Sequence, residues 1–156
     1  MLGTLDGEQI EQVLRTEIIG RIGCTTDGRV YVVPVTYAYD GECVYAHSAV
    51  GMKVKMMRAN PAVCFEVDHT DNLANWRSVI AWGTFEELTG EDAKRGMATL
   101  MQRVMPLLTS ETAQPSHGMP GAAPHPGAHA ADVGHVSAVL FRIRLTERIG
   151  RFERRP

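Results

Sequence analysis

Apolar and polar positions alternate along most of this chain, and the period of the alternation changes several times. Asp6, with Gln9 three residues on, forms a capping-box pair. Ile10, Val13 and Leu14 then recur at helical spacing and predict an amphipathic helix that fades over residues 16–20. Residues 21–25 predict a strand, and Asp27-Gly28 between apolar runs is a strong hairpin signal. The next run, VYVVPVTYAY, is apolar on both faces: Val30, Val32, Pro34 and Thr36 on one, Tyr31, Val33, Val35, Tyr37 and Tyr39 on the other. Such a strand is expected to be covered on both sides, the second cover being a helix or another subunit. Pro34 cannot donate to a ladder, so its strand needs a gap or an edge there. Asp40-Gly41 predicts a second hairpin turn, into residues 42–47.

A strand then hands over to a helix through YAHSAVGMK, residues 45–53. The helix is short and amphipathic, and Asn60-Pro61 stops it. Residues 62–68 predict a strand and 69–75 a polar loop that exposes His69. Residues 76–88 predict a long strand, with Gly83 at a bulge or bend and Trp82 in the core. Thr89, with Asp92 three residues later, is expected to cap a helix whose buried stripe is Met97, Leu100, Met101 and Val104; Pro106 ends it. Residues 113–135 have no period and are rich in Pro, Gly, Ala and His, which predicts a flexible loop. A last strand follows at 136–145. About six strands with antiparallel hairpin signals and three helices make a mainly β, α+β domain. The strand spacing suggests a small barrel, which would also remove the free edges of such apolar strands.

The 156 residues fit one domain, and the net charge of −2 makes no case for nucleic acid. The basic end, RIRLTERIGRFERRP, reads as a solvated strand edge or tail. No apolar stretch is long enough to span a bilayer, and MLGTLDGEQIEQ is polar rather than a signal peptide. Cys24, Cys43 and Cys64 are odd in number and widely spaced in apolar strands. This fits reduced, buried thiols in a cytoplasmic protein better than disulfides or a metal site. Met56, Met57, Met97, Met101 and Met105 read as helix core.

The stretch richest in chemistry is YAHSAVGMK. Ser48, the backbone around Gly51 and the Lys53 ammonium can converge on one anion at the start of a helix, where the dipole and free N–H groups also favour negative charge. A phosphate suits such a place. By itself the pattern is equally that of a cap and a solvated lysine, as Lys55 is expected to be.

The combination GRVYVVPVTYAYDGECVYAHSAVGMKVKMMRANPAVCFEVD…WRSVIAWGTFEEL resembles the pyridoxamine 5'-phosphate oxidase-like flavoproteins, nearest the branch associated with nitroimidazole resistance. The resemblance covers roughly residues 5–105. It implies a six-stranded antiparallel split β-barrel, one domain over residues 1–156, that binds FMN at a homodimer interface. Val33, Pro34, Val35 and Thr36 would line the flavin ring. His47, Ser48, Ala49, Gly51 and Lys53 would hold the ribityl chain and phosphate. Trp76, Arg77, Ser78 and Val79 would come near the flavin, in many relatives from the partner subunit.

A strand rich in Val and Pro suits a flat, mostly apolar ring. Arg77 would touch phosphate, gate the flavin, or pair with Glu66 or Asp68. Trp76 would stack on the cofactor or pack at the dimer interface. His47 is a weak candidate for a proton donor, with a structural histidine as its rival. The oxidases proper carry a basic segment on a barrel strand; VYVVPVTYAY has no basic residue, which argues against pyridoxal-phosphate synthesis.

The implied activity is electron transfer from a reduced nicotinamide, NAD(P)H, to a small organic acceptor such as a nitroaromatic or quinone. A haem-handling barrel and a non-catalytic flavin-binding module stay open, as does a deazaflavin in place of FMN. His117, His125, His129 and His135 tempt a metal reading. Pro126 and Gly127 break the helix that would aim an i, i+4 pair at one ion, so a flap or plain insertion is preferred and no metal is assigned.

Overall fold

The computed structural model describes residues 1–108 and 138–155; the expectations for 113–135, including the four loop histidines, lie outside the described residues. The chain runs β1 (Leu2–Thr4), α1 (Gly7–Thr16), β2 (Ile19–Thr26), β3 (Arg29–Thr36), β4 (Ala38–Tyr39), β5 (Cys43–Ala49), α2 (Met52–Ala59), β6 (Ala62–Asn72), β7 (Asn75–Glu87), α3 (Gly90–Val104), a 3-10 turn (Met105–Leu107) and β8 (Ala138–Arg154). The capping box at α1 is present in both directions, with Gln9 N–H to Asp6 Oδ1 and Asp6 N–H to Gln9 Oε1 each 2.9 Å. Asp27 and Gly28 take φ of 52° and 75°, the left-handed pair that a two-residue hairpin demands. Thr89 precedes α3 without a side-chain cap bond.

The strands form one eight-stranded sheet in the order β3-β2-β6-β7-β8-β5-β4, with β1 added to the far end of β8; every pairing is antiparallel. This corrects the six-stranded closed barrel expected from the sequence. The sheet is open: β3 and β4 end its path, and no ladder joins them. The reason is local. Only Tyr37 separates these two strands, too short a link for a hairpin between them. Its N–H donates to Ile18 O at 3.1 Å and its hydroxyl to Leu14 O at 2.8 Å, which ties the link to the end of α1.

The inner face of the sheet carries the main core. Ile22, Phe65, Val67, Val79, Ala81, Phe141 and Ile143 meet Ile10, Val13 and Leu14 of α1 and Val54, Met56 and Met57 of α2. Tyr37 and Phe65 meet edge to face, with ring centroids 4.9 Å apart. A second cluster lies under α3, where Leu100 and Val104 cover Ala38, Cys43, Tyr45, Leu88 and Leu140. Leu100 and Val104 thus form the buried stripe, Met97 and Met101 are only half-buried, and Met105 is exposed.

Gly83 does mark a bulge. The β7–β8 register shifts between Trp82 and Gly83, and a Cβ at Gly83 would lie 2.3 Å from Arg144 O.

Several polar stretches read as loop or tail are strand. β6 continues through His69 to Asn72, and β8 runs 17 residues through the basic end. Far from being an edge, β8 sits between β7 and β5. Two of its arginines share a cross-strand partner: Arg142 Nε donates to Glu86 at 2.6 Å, and Arg144 Nε to the other oxygen of Glu86 at 3.1 Å.

The outer face of β3 and its neighbours has no such cover among the described residues. Val30 and Val32 are 73% and 61% exposed, and Ile19, Trp82 and Ile149 are also exposed. The two-sided cover expected for β3 is therefore one-sided among the described residues, and Trp82 lies on the surface rather than in the core.

Candidate functional site

The YAHSAVGMK handover folds as expected, with β5 ending at Ala49 and α2 starting at Met52. The pleat divides its polar groups. Ser48 shares the core side of β5 with Val44 and Ala46 and is itself buried. His47 and Ala49 lie on the opposite side, with Tyr45, and are half-buried. The Ser48 hydroxyl donates to Ala49 O at 2.8 Å, so its proton must turn away before it can meet a ligand.

Gly51 caps α2 with φ −120° and ψ −162°, extended backbone open to any residue. A Cβ there would meet only Ala49 O, at 4.0 Å. Neither the backbone nor packing among the described residues requires a glycine at this position. No side chain caps α2, so its first N–H groups are left without that partner.

Lys53 lies in the first turn of α2 and is half-buried. Burial strips water from its ammonium and pulls its pKa below the ordinary lysine value, and the nearby Cys24 acts in the opposite direction. Burial in turn pushes the Cys24 thiol up, and Lys53 opposes that shift. Cys24 sits on the inner face of β2 in the core, a neighbour of Lys53 that only the folded chain reveals. Lys55, by contrast, is exposed as expected.

β3 is an edge strand, which accommodates Pro34. Val33 and Val35 turn inward; Pro34 and Thr36 turn outward and are exposed. A ring lying along this edge would meet backbone groups that no neighbouring strand engages.

The third predicted group lies elsewhere. Cys24 adjoins Gly23, which opposes Cys64, which opposes Trp82. From that level Trp76 is six residues along β7, about 20 Å. Trp76 and Ser78 take the outer pleat face with Ile80, while Arg77 and Val79 take the inner one, where Val79 is fully buried. Trp76 Nε1 donates to Glu153 Oε2 at 3.2 Å. Arg77 does not pair with Glu66 or Asp68: both belong to Arg21, at 3.1 and 2.8 Å.

Among the described residues no group of three or more His, Cys, Asp or Glu could hold a metal, and no helix is long and apolar enough to cross a membrane. Cys24, Cys43 and Cys64 are all free thiols.

A protein of Rhizobium meliloti (strain 1021), RA0666, is 33% identical over 81 residues, which are 52% of this chain and 54% of that protein. The match therefore spans about half the length of this curated relative. The structure of a FAD-binding protein from Mesorhizobium loti superimposes with a TM-score of 0.75 at 31% identity, covering 97% of this chain and 98% of the other. A protein from Bacteroides thetaiotaomicron assigned to 5-nitroimidazole antibiotic resistance shares the fold, with a TM-score of 0.67 at 18% identity and coverage of 97% and 89%. The sequence matches the family described as pyridoxamine 5'-phosphate oxidase over residues 6–151. The chain belongs to the pyridoxamine 5'-phosphate oxidase family.

Proposed function

We propose that this chain is an FMN-dependent oxidoreductase. It works as a homodimer and passes electrons from a reduced nicotinamide to a small organic acceptor, a nitroaromatic or a quinone. The observation that carries the reading is Lys53. Its ammonium is partly withdrawn from water, has no carboxylate partner among the described residues, and stands one residue past a helix start that no side chain caps. A phosphate monoester answers all three conditions. It neutralises Lys53, accepts from the first N–H groups of α2 and sits at the positive end of its dipole. The open space beside Gly51 lets it approach the backbone.

FMN carries such a phosphate on a flexible chain attached to a flat ring. FAD, the ligand in the description of the Mesorhizobium loti relative, contains the same flavin phosphate. The ring lies along the free edge of β3, beside Val33, Pro34, Val35 and Thr36. Ser48 adds a hydroxyl once it rotates from Ala49, and the backbone around Ala49 borders the ribityl chain. His47, on the opposite pleat face, takes no part in holding the phosphate.

The exposed apolar outer face, with Val30, Val32, Trp82 and Ile149, is the surface for a second copy. Trp76 and Ser78 share that face and lie too far along the sheet for the same chain's flavin, so they meet the flavin of the second copy. When bound, the flavin supplies the redox chemistry; the residues of the chain hold it, orient it and exclude water. The test is the absorption spectrum of the purified protein under anaerobic conditions. A flavin spectrum that NADH or NADPH bleaches and a nitroaromatic or quinone restores is the expected result. A haem spectrum, or a flavin that no nicotinamide reduces, overturns the reading.

A further inference from the structure

The two ends of the sheet are joined by one short link. β3 enters it at Thr36, Tyr37 crosses, and β4 leaves it to turn back as β5. β4 pairs with β5 only through Ala38–Tyr45 and Tyr39–Val44. From Ala46 to Ala49 that side of β5 carries no ladder among the described residues, and nor does the free edge of β3. The two bare edges are arms joined at the link. In the flavin placement above, Val33 to Thr36 on one arm carry the ring, and the other arm runs into Gly51 and Lys53, which take the phosphate. The spacing of ring and phosphate sites is then set at the link.

Two phenols fasten that link to α1. The Tyr37 hydroxyl donates to Leu14 O at 2.8 Å, and the Tyr39 hydroxyl donates to Glu11 Oε1 at 2.7 Å. Glu11, Leu14 and Arg15 are three and four residues apart, so they share one face of the helix. The Arg15 and Arg148 guanidiniums stand over the Tyr39 ring, 5.4 and 5.8 Å from its centre. Burial pushes the Tyr39 phenol above its ordinary value, so it stays a hydrogen-bond donor at neutral pH. The two anchors differ in what their loss would leave behind. Without its hydroxyl, Tyr37 would orphan a buried backbone carbonyl, which is costly for the fold itself. The Glu11 carboxylate is partly exposed, so water can replace the Tyr39 hydroxyl there. A ligand that touches both arms gains from a spacing fixed beforehand; a ligand that touches only one does not.

We propose, resting on the flavin reading above, that Tyr39 and Glu11 are positioning residues for the cofactor: through the link they hold the ring-bearing edge of β3 at the distance from Lys53 that FMN spans. Neither residue touches the flavin.

The test compares FMN with riboflavin, which lacks the phosphate and engages the ring arm alone, by fluorescence titration of each folded variant. In the unaltered protein FMN binds more tightly. Tyr39→Phe and Glu11→Ala should each weaken FMN about threefold or more and leave riboflavin within about twofold. Glu11→Gln keeps an acceptor for the phenol and should keep the FMN preference. An FMN preference that survives intact in Tyr39→Phe and Glu11→Ala overturns the positioning role alone. So does an equal loss for both ligands, the mark of general loosening, or a loss in Glu11→Gln as large as in Glu11→Ala. No FMN preference in the unaltered protein overturns the flavin reading and the positioning role with it. Glu11→Ala, at a partly exposed helix position, decides the matter even if Tyr39→Phe does not fold.

Discussion

The two faces of one sheet differ more than their residues suggest. On β3, Val33 and Val35 look inward to a core filled by α1 and α2, while Val30 and Val32 look outward to nothing among the described residues. Both sets are β-branched and apolar. Side-chain chemistry therefore does not separate them; the supply of covering elements does. Helices α1 and α2 contribute their buried residues to the inner cluster, and α3 covers only the β4–β5 end and the first part of β8. An apolar strand face that its own chain leaves bare is the kind of surface a second protein covers. The contrast teaches that period alone reports which residues share a face, and not what lies over that face.

Substitutions on the two faces sharpen the comparison. The largest expected effect is on the inner one. Phe65 is fully buried and packs edge to face on Tyr37, so Phe65→Ala should cost about 3–5 kcal/mol, read as a lower urea midpoint. On the outer face, Val32→Lys should leave the fold of each subunit nearly untouched, within about 0.5 kcal/mol, yet convert a dimer to monomers in sedimentation velocity. A loss of stability as large as that of Phe65→Ala would mean the outer face is not free in one chain.

Next in size is the handover. Gly51→Asp introduces a good N-cap into α2, so thermal stability should hold or rise. The same carboxylate should repel a phosphate and lower FMN affinity by roughly tenfold or more. A glycine needed only by the fold would show the opposite pattern.

The smallest effect concerns the far end of the β6–β7 hairpin. His69 has a carboxylate near each ring nitrogen, and these hydrogen bonds to Asp71 and Glu17 raise its pKa; Arg77, opposite on β7, is the cation facing it. A raised folded pKa stabilises fully below the unfolded value of about 6.5. The contribution is lost as pH rises through the folded value. Urea unfolding should therefore show stability falling over that window, and His69→Gln should flatten this part of the profile.

Much of the fold was legible because its signals are local. The Asp6–Gln9 cap, the Asp27-Gly28 turn and the Gly83 bulge each depend on a few adjacent residues and their backbone conformation. β8 was not legible past residue 145, because the largely polar run from Thr146 to Arg154 resembles a tail until β7 is brought opposite it. Residues 69–72 read as loop for a related reason: that end of the β6–β7 hairpin has little core beneath it, so its strand residues are polar. Trp82 followed the outward alternation of Trp76, Ser78 and Ile80, yet its size alone suggested burial. The closed barrel failed at Tyr37, where ladder closure depends on how two distant ends meet rather than on any local pattern.

The candidate site divides in the same way. Ser48, Gly51 and Lys53 are close in sequence, so the handover itself could be read. Which pleat face His47 takes, that Cys24 lies by Lys53, and that Arg21 and not Arg77 takes Glu66 and Asp68 all depend on register.

The measurement that most directly tests the central claim compares the affinities of FMN and riboflavin, which differ by the phosphate alone, in the unaltered protein and in Lys53→Ala. Loss of a charge-assisted contact worth about 1.5–3 kcal/mol should weaken FMN roughly ten- to hundredfold, toward the riboflavin value, while riboflavin binding stays the same. Equal losses for both ligands, or an FMN affinity that does not change, would contradict the account.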